Sequence, residues 1–444
     1  MRSSRSGSSS EAARPSGVIV SSRKYVAIAV SSSPAHSDRS RADRRRPADV
    51  AITTEYHRGA QAAANAAAEG AAMRFGGFSF GSWHESESHG EVLAQLVELA
   101  VQSDRLGLDS FWLGEHHFSR HGILADTMVM AAHIAARTEH IRIGTAVIVL
   151  PLHNPVRVAE QVAIVDHLSG GRVDVGVGIG YQQREFAGLG VDIDEARARF
   201  IESLDVMVRA WTDEPLVYEG EHVRIAAEDA ITVYPKPLQQ PHPPLYQAVS
   251  TTPASIDLAA SRGLPVIVGG PTDVLGRAPE VIAHWRERMR AHGRDPEGHD
   301  LPCLQNVFVA ETDEAAHAEL ERVDASWSLR VLREVGSPIG RDGKVPEGYE
   351  HWVQRWQQRQ LASGEAARTD VPQLFGSPDT VAKQVQALRD QGVEHVFGRF
   401  TIPGIPFDRV QRSLELFATE VAPRFRESRP APPPAAVEAA AAPG

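Results

Sequence analysis

Four short stretches of this chain concentrate residue types capable of chemistry. The first, Phe111-Trp112-Leu113-Gly114-Glu115-His116-His117-Phe118, ends an apolar run in a carboxylate and two imidazoles. Such a trio serves as an acid–base pair, as a structural hydrogen-bonded pair, or as metal ligands. Side chains alternate along an extended chain, so Glu115 and His117 face one side and His116 the other; the three do not easily share one metal, and none is expected. The second stretch, Gly144-Thr145-Ala146-Val147-Ile148-Val149-Leu150-Pro151, opens on small residues. These either let a backbone lie against a flat ligand or pack a tight sheet. The third, Gly176-Val177-Gly178-Ile179-Gly180-Tyr181, is glycine-rich. It lacks the glycine at 181 that a dinucleotide fingerprint requires, and reads as a ligand-facing loop. In the fourth, Ser250-Thr251-Thr252-Pro253-Ala254-Ser255, hydroxyls precede a proline at a helix start. Free N–H groups and the helix dipole there favour a phosphate, while a plain N-cap by Thr252 accounts for the same residues.

The elements that must hold these stretches alternate. Strand-like runs fall at 74–80, 110–113, 141–150, 173–179, 245–249, 265–268, 304–309 and 395–400. Helix-period segments at 91–106, 126–137, 155–168, 193–211, 253–262, 279–291, 313–334 and 378–391 separate most of them, and a final helix at 407–421 is expected to pack beneath. Strands alternating with helices imply a parallel sheet, and eight such units favour closure into one α/β domain, a (β/α)8 barrel whose chemistry sits where strands end. Two insertions break the rhythm: 216–244 reads as a hairpin plus a Pro-rich turn, and 327–375 is a long excursion after the seventh strand. Loops of that length are usually lids or binding elements.

Composition narrows the class. The net charge is −11, and residues 1–72 carry 11 Lys/Arg against 6 Asp/Glu, so the body is the acidic part. That argues against nucleic acid, whose phosphates need clustered Arg and Lys. Cys303 is the one cysteine, which excludes an intrachain disulfide and a Cys-based zinc or iron–sulfur site. No apolar run approaches the ~20 residues of a membrane span. A cytoplasmic location is expected. Residues 1–72 are Ser/Arg-rich and then Ala-rich, and read as a disordered or non-native extension, with an organelle transit peptide as the alternative. Met73 is the expected true start, because Glu69-Gly70 can be encoded by a purine-rich ribosome-binding sequence. The domain is expected over 73–425, and 426–444 as a disordered Pro/Ala-rich tail.

In this order, the four stretches resemble the bacterial luciferase-like monooxygenase family. The likeness spans nearly all of 73–425 and includes Met-Arg-Phe-Gly at 73–76, Glu115-His116-His117-Phe118, Gly144-Thr145-Ala146 through Leu150-Pro151, Asn154-Pro155-Val156-Arg157, Leu168-Ser169-Gly170-Gly171-Arg172 and Pro235-Lys236-Pro237. The start and the Glu-His-His-Phe segment point to the luciferase α-subunit branch. The resemblance implies that His116 is an active-site histidine at the reactive flavin edge, with Glu115 beside it and Glu185 as an acidic residue close to the flavin. It implies a non-proline cis peptide at Ala146–Val147 lying against the flavin ring. Thr145, Gly178, Gly180 and Tyr181 would contribute to the same site. Thr251 and Ser255 match phosphate contacts, and Ser250 stands where luciferase has a glutamate. Gly178 replaces a reactive cysteine, Ile179 a phosphate-binding arginine, and Gly270 an aromatic residue, so the chain resembles a monooxygenase of the family more than a true luciferase.

The implied activity is that of an FMN-dependent monooxygenase. Reduced FMN from a separate flavin reductase meets O2 to form a peroxyflavin, which oxidises a small organic substrate, an aldehyde or ketone being the first candidates. The protein excludes water and His116 moves protons. A homodimer is expected. Two alternatives accompany this reading: a deazaflavin-dependent hydride-transfer enzyme on the same fold, against which Gly180-Tyr181-Gln182 leans, and a flavin-binding protein without catalysis.

Overall fold

The computed structural model describes residues 72–426, apart from 271–276, 324–329 and most of 332–372. The expected tails, and most of the expected excursion at 327–375, lie outside the described residues. Chain contacts divide the molecule into Met1–Asp49 and Val50–Gly444, and the described residues all belong to the second unit.

Eight strands form the barrel: β1 Arg74–Ser79, β2 Ser110–Leu113, β3 Arg142–Thr145, β4 Val173–Gly178, β5 Leu245–Ala248, β6 Val266–Gly269, β7 Pro302–Val309 and β8 His395–Arg399, and the short runs Ile148–Val149 and Leu374–Gly376 add onto β4 and β7 of the same sheet. Every neighbouring pair is parallel, and β1 pairs with both β2 (Phe78 opposite Trp112) and β8 (Phe75 opposite Val396), so the sheet closes on itself. The expected (β/α)8 barrel is the observed architecture. Helices between the strands include α1 His89–Arg105, α2 Thr127–Ala135, α3 Pro155–Ser169, α4 Gln183–Gly188, α5 Ala196–Thr212, α6 Pro253–Arg262, α7 Ala278–Ala291, α8 Asp313–Arg322, α9 Pro378–Asp390 and α10 Phe407–Leu416.

Local chemistry sets these boundaries. Ser88 and Glu91 form a reciprocal capping box at the start of α1, satisfying N–H groups that a helix leaves orphaned. Asn154 caps α3, Pro155 opens it, and Gly170 ends it at φ 68°. Arg172 then explains the Ser-Gly-Gly-Arg motif: its guanidinium donates to the carbonyls of Ser169, Ile141, Ala135 and Thr138. One side chain thereby ties the ends of α2 and α3 to the entry of β3.

The barrel interior is filled by Phe78, Phe80, Trp112, Tyr246, Leu304 and Phe397. Gly144 is required beside them, because a Cβ there would lie 2.2 Å from the Trp112 ring. A buried polar cluster closes the N-terminal end. His395 contacts Ser110 Oγ (3.0 Å) and Asp300 (3.1 Å), Trp112 Nε1–H donates to Ser110 Oγ (2.9 Å), and Arg74 pairs with Asp300. Although Ser110, His395 and Asp300 have the connectivity of a hydrolytic triad, Ser110 and His395 are each 2% exposed. The cluster is a plug.

The structure departs from expectation in four places. The run at 141–150 is not one strand: the cis peptide Ala146–Val147 interrupts it, and the chain resumes as Ile148–Val149 against β4. The last helix is α10 followed by a π turn, Phe417–Val421, and a 3-10 turn, Ala422–Phe425. These lie beneath the barrel, with Phe417 on Phe75 (5.5 Å) and Met73 N–H donating to Phe425 O (3.0 Å). α4 has no counterpart among the expected segments. α8 stops at Arg322 rather than 334. The hairpin at 216–244 is present as Tyr218–Glu219 against Arg224–Ile225.

Candidate active site

The C-terminal ends of the strands surround a cavity of about 250 Å³. Its floor and one wall are Phe78, Phe80, Phe397, Leu304 and Ile267, all from the barrel interior. A second cleft, of about 630 Å³, lies on the outer side of His116 among Trp83, Phe118, Arg120 and Arg184. The strand ends converge only on the first.

The residues after β2 divide as alternation requires. Glu115 accepts hydrogen bonds from His117 Nε2–H (3.0 Å), His153 Nε2–H (2.8 Å) and Val149 N–H (3.0 Å). Burial disfavours its charge, but those hydrogen bonds and the His153 charge outweigh it and hold the carboxyl at about 2. Partial burial pulls the His153 imidazole down, but the same carboxylate outweighs it and raises it. Glu115 was expected to act beside His116; although it borders the cavity, its carboxylate is fully engaged by the wall. It positions the chain.

His116 faces the other way, into the cavity. Its Nδ1 lies 3.0 Å from Glu185 Oε1 and 2.9 Å from Gln182 Nε2. The same Glu185 oxygen accepts His117 N–H at 2.9 Å. A carboxylate can only accept, so Nδ1–H donates to Glu185 and Nε2 is left as the basic nitrogen; the Gln182 amide then turns its otherwise unsatisfied oxygen, rather than its nitrogen, toward Nδ1. Glu185 reaches this place from the first turn of α4, seven residues after β4 ends at Gly178.

The peptide Ala146–Val147 is cis, and both residues border the cavity. Opposite them Gly178 permits close approach, since a Cβ there would come 2.8 Å from Val147 Cγ2. Gly180 has φ 84°, and a Cβ would meet Val149 at 2.6 Å. Tyr181 stands edge-on to His116 at 6.1 Å. Thr145 is a correction. Its hydroxyl donates to Gly176 O and accepts Gly176 N–H, both at 2.8 Å. It locks β3 to β4 and does not border the cavity.

At the far end, α6 begins with its N-terminus toward the cavity. Ser250, Thr252 and Ser255 border it; Thr251, expected among the phosphate contacts, does not, and Thr252 takes that place. Thr252 is the N-cap residue, yet its side chain makes no capping hydrogen bond, so the plain-cap account does not explain it. Arg197, from the first turn of α5, enters the same corner and donates to Ser255 Oγ at 3.2 Å. Sequence reasoning missed this arginine and counted only the loss of one at Ile179. A guanidinium, three hydroxyls and a helix N-terminus make a donor set suited to phosphate. Among the described residues no cluster of three His, Cys, Asp or Glu is arranged to hold a metal ion, and no helix is long and apolar enough to cross a membrane.

The family model for luciferase-like monooxygenases matches residues 73–395. The chain is 31% identical to 4-hydroxyprotoasukamycin monooxygenase of Streptomyces nodosus subsp. asukaensis over 369 residues, covering 80% of this chain and 93% of that one. It is 26% identical to the alkanal monooxygenase alpha chain of Photobacterium leiognathi, covering 80% of this chain and 99% of that one. Among solved structures, a type II Baeyer–Villiger monooxygenase, the oxygenating constituent of 3,6-diketocamphane monooxygenase of Pseudomonas putida in complex with FMN, superposes with a TM-score of 0.64 at 20% identity, over 81% of this chain and all of that one.

Proposed function

Because the chain belongs to the luciferase-like monooxygenase family, we propose that it is the oxygenating component of a two-component enzyme that uses reduced FMN and O2 to oxidise a small organic substrate. The observation that carries this is the coexistence, across one cavity, of a phosphate-type donor set (Arg197, Ser255 and the α6 N-terminus) and a carboxylate-oriented imidazole (His116 with Glu185). Their separation by a glycine-lined slot at Gly178 and Gly180 suits a flat ring joined to a phosphate by a chain.

When bound, reduced FMN supplies the electrons that activate O2. The protein's own part is placement and proton handling. Arg197, Ser250, Thr252 and Ser255 would hold the phosphate. Ala146, Val147, Gly178 and Gly180 would pack against the ring face, and Tyr181 would cover its edge. Apolar walls from Phe78, Phe80, Phe397 and Leu304 keep water out, which strengthens each electrostatic contact inside. His116 Nε2 takes or returns a proton at the reacting atoms, and Glu185 stabilises the imidazolium that results. Glu115 acts at one remove, fixing His117, His153 and the backbone of Val149. A separate reductase would deliver the flavin, as the name of the Pseudomonas relative implies for that enzyme. A homodimer in the cytoplasm, with 73–425 as the working domain, completes the proposal.

The test is anaerobic titration with reduced FMN and with reduced deazaflavin coenzyme, followed by admission of air. Tighter binding of FMN, with reoxidation slower than that of free flavin, is expected. Preferential binding of the deazaflavin would favour hydride transfer, and binding without any change in reoxidation would favour a flavin carrier.

A further inference from the structure

We propose that His121 is the substrate-recognising residue of this cavity, and that the substrate is planar and carries an acidic hydroxyl, phenolic or enolic, bound as its oxyanion. The proposal deepens the monooxygenase reading and rests on it for the role of the cavity.

His121 borders the cavity five residues beyond His116. Its ring lies 4.5 Å from that of His116 and 4.6 Å from that of Phe80, tilted 35° to the latter. The loop that carries it is fixed: Ile123 N–H donates to Gly81 O (3.1 Å), Leu124 N–H to Phe80 O (3.3 Å), and Ser82 Oγ–H to the His121 carbonyl (2.8 Å). The imidazole itself has no hydrogen-bond partner among the described residues. A polar ring held this firmly, facing a cavity and with its hydrogen-bonding atoms unmet among the described residues, is set to bond a ligand.

The surroundings select what that ligand is. Arg399, 4% exposed at the end of β8, packs over the Phe80 ring at 4.9 Å and donates to Ser82 Oγ. Burial, His116 and Arg399 together push the His121 imidazole well below its ordinary value. It therefore stays neutral and presents one N–H donor, with the Arg399 guanidinium packed on Phe80 beside it and the Glu185 carboxylate engaged by His116. That setting favours an oxygen bearing negative charge and disfavours a cationic substrate. The remaining walls are the rings of Phe78, Phe80 and Phe397 with Leu304 and Ile267, which fit a flat apolar body. A linear alkanal has a carbonyl but no proton to lose from oxygen. A phenol or enol ionises, its proton leaving to solvent, and the oxyanion accepts the His121 N–H.

The test uses 4-nitrophenol, whose ionised form absorbs in the visible, and its methyl ether 4-nitroanisole, titrated into the full-length chain loaded with oxidised FMN. Expected is binding of 4-nitrophenol as the phenolate, with a lowered apparent pKa, about 10- to 100-fold tighter than the ether. H121F, which keeps a ring on Phe80, should abolish that preference, H121N should retain most of it, and neither should alter FMN affinity. H121L gives the same comparison if H121F does not fold. Equal binding of phenol and ether by the unaltered chain, uptake of the phenol in its neutral form, or a preference that survives H121F would each overturn the proposal. Failure of FMN to bind would instead sink the flavin reading, and the phenol–ether comparison on the flavin-free chain would still decide the role of His121.

Discussion

Arg197→Met probes the phosphate corner at its least expected member. Methionine retains most of the stem packing at the start of α5 while removing the charge and the bond to Ser255 Oγ. A hydrogen bond to a charged group contributes about 1.5–3 kcal/mol, so FMN affinity should fall roughly 10- to 150-fold. Riboflavin, which has the ring and ribityl chain but no phosphate, supplies the control, and its affinity should change by less than about twofold. Both constants can be read from flavin fluorescence during titration. Raising the salt should weaken FMN binding by the native chain and leave riboflavin nearly unaffected, since the corner is only partly buried. Equal weakening of both ligands would mean that Arg197 merely holds the entry to α5. An unchanged FMN constant would place the phosphate elsewhere and refute the assignment.

Replacing His116 by alanine should leave FMN binding nearly intact and slow turnover by about 10²–10⁴-fold, the range typical of a lost acid–base group; normal turnover with a lower melting temperature would return it to a structural role. Acid stability should carry the signature of His395, whose folded value is depressed from 6.5 to about 3 by burial and Arg74. The unfolded chain therefore binds one more proton, and stability falls as pH drops from 6.5 toward 3, at up to about 1.4 kcal/mol per pH unit; H395N should flatten the denaturant-derived slope between pH 6 and 4 by close to one proton, and an unaltered slope would contradict this. A chain beginning at Met73 should bind flavin and melt within a few degrees of the full chain, because β1 is paired on both edges by β2 and β8; a larger loss would show that the preceding residues contribute to the fold.

The barrel was legible because each strand carries a run of apolar residues between helix-period segments, and parallel strands buried on both faces are written that way. The split of Glu115 and His117 from His116 was legible for the same geometric reason. What escaped notice depends on contacts closed over long distances. Arg197 sits in an ordinary amphipathic helix, and only folding brings it to Ser255, 58 residues away. Thr145 looked like a ligand contact because its partner, Gly176, is known only once β3 and β4 pair. α4, which delivers Glu185, is six residues long, too short to show a period. The break at Ala146–Val147 lies in β-favouring text that reads as uninterrupted strand, and it entered through resemblance alone. His121 falls just outside the Glu-His-His-Phe segment, where nothing in its spacing marks it.

The segment after β2 assigns its duties by parity: odd positions build the wall, and the even position meets the chamber. Which imidazole does which is decided by how many residues separate it from Leu113, whose pairing with Thr145 fixes the count. A change of letter at one of these sites removes one function and spares the other. A deletion of a single residue between Leu113 and His116 would instead rotate His117 inward and carry His116 into the wall, away from Glu185, while Glu115 lost its hold on His153 and Val149. Along this stretch of chain, sequence drift by exchange and sequence drift by length are therefore different hazards, and only the second dismantles scaffold and chemistry together.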